Sequence, residues 1–212
     1  MRLKTFLQLV ALSLVFVACK DDDNDRFYIT FNNYVYEALY FTAGETEPMT
    51  ITSDVGPPEV ALAEGTHSSI TYNNDTDVLS WSPQLPLDET IVTVTATSGS
   101  RETTTIVILR NKFQGNFSGT YMNMEIPVNV ALEFRTDSEG NEITPRISVD
   151  GIEAENIGFL RYGTELELTY TIAPNNFTIE ATIDTALGIL EGAIRHSGEI
   201  APISAFTAAI VP

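Results

Sequence analysis

Glu165-Leu166-Glu167-Leu168-Thr169-Tyr170-Thr171-Ile172, followed closely by Phe177-Thr178-Ile179-Glu180-Ala181-Thr182-Ile183-Asp184, decides the fold. In both runs every second side chain is apolar and the residues between are Glu, Thr or Asp. Successive side chains of an extended strand point to opposite faces, so this pattern makes one dry face and one wet face. The same rhythm extends outward. Val128, Val130, Leu132 and Phe134 alternate with Asn129, Glu133 and Arg135, and Asp137-Ser138-Glu139-Gly140-Asn141 reads as a hairpin loop. Ile143, Ile147 and Val149 then return inward. With 117–121, 187–194 and 203–211 added, this half of the chain holds about eight strands joined by short loops. There is no room for crossover helices. Such a meander is expected to close as a small antiparallel up-and-down β-barrel, which removes exposed edges.

Upstream the pattern is again β, in shorter pieces. Residues 27–31 and 34–41 are rich in β-favouring aromatics. Pro57-Pro58 marks a turn or a sheet edge, because proline cannot donate to a ladder. Val92, Val94 and Ala96 oppose Ile91, Thr93 and Thr95, and after Ser98-Gly99-Ser100 residues 103–109 return as an apolar strand. Short strands separated by regular turn signals predict a β-sandwich. The fold class is therefore all-β, with a sandwich at 26–112 and a barrel at 113–212. Residues 111–116 read as a hinge between them.

The full chain of 212 residues carries 11 basic and 29 acidic side chains, a net charge of −18. Such a surface repels phosphate backbones, which argues against nucleic acid as a partner. It also gives no electrostatic grip on an anionic membrane.

The first 25 residues carry their own message. Arg2 and Lys4 precede a short apolar run that ends at Ala18, before Cys19. The run is too short to span a bilayer, and it reads as a secretory signal over 1–18. Phe16-Val17-Ala18-Cys19 resembles the bacterial lipobox, with Phe16 at the place usually held by Leu. Lys20-Asp21-Asp22 resembles the surface-export signal of Bacteroidota lipoproteins. These resemblances imply lipidation of Cys19, an acidic tether over 19–25, and an outer-membrane protein that faces the cell exterior on its lipid anchor. Cys19 is the sole cysteine, so no disulfide is available and the fold rests on its hydrophobic core.

Residues 69–109, with Asp77-Val78-Leu79-Ser80-Trp81-Ser82-Pro83, resemble the immunoglobulin- and cadherin-like modules of bacterial surface proteins. Gly119-Thr120-Tyr121 and Leu190-Glu191-Gly192 resemble the lipocalin-like barrels at the C-termini of Bacteroidota lipoproteins. These resemblances imply spacers and binding platforms.

No constellation for catalysis emerges. His67 and His196 lie in polar, loop-like settings in different domains, without zinc spacing or a partner thiol. The chain is read as a non-enzyme with no cofactor and no metal. Trp81 is expected in the sandwich core. The alternative is an exposed sugar-stacking residue, with Tyr34, Tyr36 and Tyr40 as a row on one strand face. The leading expectation is a binding or adhesive accessory module for a glycan or a surface protein. A carrier of a small apolar ligand inside the barrel is the second reading, and a carboxylate-pair glycoside hydrolase the third.

Overall fold

A computed structural model describes residues 26–196 and 204–211. The leader, Cys19 and Lys20-Asp21-Asp22 lie outside the described residues. Eighteen strands and no helix make up the described chain.

The first nine strands are β1 (Phe27–Thr30), β2 (Val35–Leu39), β3 (Gly44–Glu45), β4 (Thr50–Ser53), β5 (Glu59–Leu62), β6 (Ile70–Asn73), β7 (Val78–Trp81), β8 (Asp88–Ser98) and β9 (Arg101–Lys112). One sheet runs β2-β9-β8-β5. Opposite it, β6 pairs with β7, β7 with β3, and β4 with β1. Between β3 and β4 the chain keeps following β7, with Thr46 N donating to Leu79 O and Met49 N to Asp77 O. Taken as one bent strand, β3–β4 completes the order A-B-E-D across from C-F-G, the arrangement of the immunoglobulin fold. β2 adds a parallel strand beside β9.

The alternation read from β8 holds. Val92, Val94 and Ala96 are fully buried, whereas Ile91 on the other face is 60% exposed. They pack with Val107 and Leu109 of β9 and with Ile29, Phe31, Met49, Leu79 and Trp81 from the facing sheet. This core needs no disulfide because both sheets supply branched and aromatic side chains at most inward positions.

The remaining strands are β10 (Gly115–Asn123), β11 (Ile126–Thr136), β12 (Glu142–Val149), β13 (Ile152–Glu153), β14 (Glu155–Tyr162), β15 (Glu165–Ile172), β16 (Asn175–Asp184), β17 (Ile189–His196) and β18 (Ser204–Val211). They form one antiparallel sheet in the order β13-β12-β11-β10-β18-β17-β16-β15-β14. The first and last strands pair, β10 with β18, so the chain wraps round and almost closes the barrel. Nine strands stand where about eight were expected. The named runs account for seven of them, and the two without a named run are the two-residue β13 and β14, whose side chains do not alternate in the usual sense.

A seam lies between β12 and β14, and side chains bridge it. Arg161 of β14 donates from Nε to both carboxylate oxygens of Glu142 on β12, at 2.8 and 2.9 Å. Glycine makes the tight curvature possible. A Cβ on Gly119 would stand 2.2 Å from Thr207 O, and one on Gly192 only 1.9 Å from Glu180 O. Neighbouring strands approach so closely there that only glycine fits.

The stretch read as a hinge is a short, packed connection. Only Phe113 and Gln114 separate β9 from β10. Phe113 is buried, with its ring centroid 4.5 Å from Phe134 and 5.1 Å from Tyr40. The barrel core thus reaches into the sandwich through Tyr40, Phe41 and Leu87. Gly188 at the β16–β17 turn leaves room for the Phe41 ring, which a Cβ would meet at 2.8 Å. Arg161 adds a charged tie, with Nη2 2.6 Å from Asp88 Oδ1 at the start of β8.

Candidate functional site

The barrel interior is filled. Leu168, Ile179, Ile147, Leu190 and Ile194 have no exposed area, and Phe117, Val130, Leu132 and Phe206 are 1% exposed. A chamber wide enough for a ligand would leave accessible surface on its lining. Phe113, Phe117, Phe134 and Phe159 instead interlock with centroid separations of 4.5–5.6 Å. Tyr170 closes on Phe177 at 5.3 Å, and its buried hydroxyl finds no hydrogen-bond partner among the described residues. Burial, and then the neighbouring Tyr121, push the pKa of that hydroxyl upward.

The aromatic row imagined on the sandwich does not exist. Tyr40 is 2% exposed and belongs to the joint with the barrel, its hydroxyl donating to Asp184 O at 3.4 Å. Tyr36 is half-buried, 6.4 Å from the Trp81 ring. Trp81 is itself in the core. Tyr34 is exposed, but it precedes β2 and exchanges a hydrogen bond with Thr30 Oγ1. The row fails because Tyr34 and Tyr40 both fall outside β2, while inside it Tyr36 and Ala38 turn towards the core. Stacking on Trp81 is excluded by the same burial.

Two grooves lie on the outer face of the barrel. The smaller, about 330 Å³, crosses β10–β12 and is lined by Ser118, Ala131, Ser148, Glu133 and Arg146 among others. Arg146 Nη1 donates to Glu133 at 3.4 Å, and Glu153 lines the same groove without an ion pair among the described residues.

The larger groove, about 640 Å³, crosses β14–β17. Strand register orders its side chains into two rows. Leu160 stands across from Glu167, and Glu167 across from Glu180. Tyr162 stands across from Glu165, Glu165 across from Thr182, and Thr182 across from Glu191. Leu160 is 70% and Tyr162 89% exposed. Arg195 reaches Glu180 in an ion pair. No ion pair joins Glu165, Glu167 or Glu191 to a basic side chain among the described residues.

The groove owes its composition to β14. A register irregularity between Glu155 and Gly158 reverses the usual sense of this strand. Arg161 turns in to clasp Glu142, so its neighbours Leu160 and Tyr162 turn out. Burial opposes the Arg161 charge, but hydrogen bonds to Glu142 and Asp88 outweigh it and hold its pKa above the ordinary value.

Other chemistry is sparse. His67 Nδ1 lies 2.7 Å from Ser69 Oγ and also accepts the Ser69 backbone N–H, which makes the pair a clip within one loop. His196 packs on the Phe177 ring. Among the described residues no three His, Cys, Asp or Glu side chains converge as a metal-ligand group. No helix among them is long and apolar enough to cross a membrane.

Fold and site together define an all-β protein, an immunoglobulin-like sandwich fused to a nearly closed barrel-like sheet with an open outer groove. No protein-family model matches the sequence, and no curated protein matches it. Among solved structures, human protocadherin-24 EC1-2 is 9% identical with a TM-score of 0.37, covering 89% of this chain and 99% of that one. Domains 4–9 of the surface layer protein SbsC are 10% identical with a TM-score of 0.29, covering 88% of this chain and 32% of that one.

Proposed function

We propose that the protein is a non-catalytic cell-surface lipoprotein, anchored through Cys19 in the outer membrane of a Bacteroidota cell and facing outward, that serves as a binding or adhesive accessory module. Its partner, a glycan or a second surface protein, engages the outer face of the barrel. One observation carries this reading: the barrel interior is filled, while the outer groove leaves Leu160 and Tyr162 open to water. Large apolar side chains left together on an open face favour an interaction surface over a solubilising one. The carrier reading loses its cavity to the same packing. A carboxylate-pair hydrolase is disfavoured because the groove glutamates stand side by side on one sheet face and do not flank a cleft that would hold a glycosidic bond between them.

Binding of the full chain to an array of polysaccharides and purified surface proteins tests the reading. Tyr162→Ser with Leu160→Ser should abolish capture without lowering the melting temperature, and undiminished capture would move the site elsewhere. Cys19→Ser should release the protein from the membrane fraction, and a variant that stays there would refute the anchor.

A further inference from the structure

Building on the outer-face reading, we infer that the β14–β17 groove takes a basic polypeptide segment, one carrying several Lys or Arg side chains spaced by apolar residues. Glu167 sits directly opposite Glu180, and like charges directly across a strand pair oppose sheet formation. Arg195 pairs with Glu180 and leaves Glu167 facing an already occupied neighbour. Glu165, beside it on β15, and Glu191, on β17, add further negative charge along the same groove. A face designed only for solubility mixes both signs, as Glu133 and Arg146 do in the smaller groove. Here no ion pair among the described residues balances Glu165, Glu167 or Glu191.

This negative charge is spread out. The carboxylates do not gather into a metal-ligand group, so a single divalent cation does not match them. They extend across three strands, β15 to β17, which suits a polymer with separated cations. Leu160 and Tyr162 lie alongside at the β14 edge of the groove. The aliphatic stems of Lys and Arg cover apolar surface while their heads reach carboxylates, and an aromatic face attracts the cation itself. A neutral glycan would use Tyr162 but would leave the glutamates unanswered.

The test uses the full chain and a fluorescent dodecapeptide of alternating Lys and Val, with an alternating Glu–Val peptide and a neutral β-glucan as the other probes. Glu167→Gln with Glu191→Gln should weaken the basic peptide about tenfold or more. Tyr162→Ser with Leu160→Ser, which leaves charge unchanged, should weaken it about as much. Glu59→Gln with Glu102→Gln removes the same charge from an exposed row of the sandwich and should change binding less than about twofold. Equal losses from the sandwich and groove variants would mean diffuse attraction to a polyanion and would overturn the inference. A groove that binds the glucan through Tyr162 but ignores the basic peptide would overturn it too, while leaving the outer-face reading intact. If neither probe binds, the inference fails, and capture from the array of polysaccharides and surface proteins decides the outer-face reading separately.

Discussion

In the sandwich, Trp81 and Tyr36 face the core and the outward row of β8 is Ile91, Thr93 and Thr95. In the barrel, phenylalanines fill the inside while Tyr162 and Leu160 remain outside among glutamates. Both domains use the same alternation, the sandwich mostly in strands of four or five residues and the barrel mostly in strands of eight to eleven. They differ in how they end their sheets. The sandwich covers one sheet with the other, whereas the barrel curls on itself and leaves a seam. The seam must be closed by a side chain, and Arg161 turns inward to close it. Reversing one residue's direction on a strand reverses its neighbours, so the exposed aromatic follows from the need to close the barrel.

The contrast between Trp81 and Tyr162 is the most direct to break. Trp81→Ala should cost about 3–5 kcal/mol in denaturant unfolding, the usual penalty for emptying a large aromatic site. Arg161→Gln should cost about 1.5–3 kcal/mol, because Glu142 loses its partner at a largely buried seam. Hydrogen exchange in that variant should rise first in β12 and β14, and a rise confined to the sandwich would contradict the seam's role.

The joint between the domains titrates at high pH. Burial, followed by Asp184, pushes the Tyr40 pKa up to about 12 from its ordinary 10.0. The unfolded chain therefore ionises first. Tyr40's contribution is full below pH 10 and is lost as pH rises towards 12. Tyr40→Phe should flatten part of that decline, with the other buried tyrosines supplying the rest. An unchanged slope would place the titration elsewhere. At the small end, Tyr162→Ala should alter stability by no more than about 0.5 kcal/mol, since its ring touches mainly solvent. A larger loss would show that Tyr162 supports the barrel after all.

Much of this fold was legible because period two admits few alternatives. Leu166, Leu168, Tyr170, Phe177, Ile179, Ala181 and Ile183 are all buried, as their spacing requires. The turn-rich spacing of the first domain likewise indicated a sandwich. The groove was not legible, and the reason is physical. In Ile157-Gly158-Phe159-Leu160-Arg161-Tyr162 the charged residue points in and two large apolar residues point out. Amphipathic reading assumes the reverse. Only the partner of Arg161, supplied from a strand 19 residues away, explains the inversion. The tyrosines of the first domain misled for a simpler reason. A row at 34, 36 and 40 requires one continuous strand across 34–40, but the strand covers only Val35–Leu39.

The parallel pairing of β2 with β9 has a mechanical meaning. β1 and β2 begin the described chain, and β9 leads directly through Phe113 into the barrel. Tension drawn between the N-terminal end and the barrel would pull these two strands lengthwise past each other. Their ladder, Val35 to Leu39 against Ile108 to Lys112, would then be loaded in shear, with its hydrogen bonds sharing the force. Bonds loaded together yield at higher force than bonds opened in turn. Single-molecule pulling from the two ends of the chain should show the sandwich resisting until this ladder slips, with Ala38→Pro lowering the force by removing a donor from its centre.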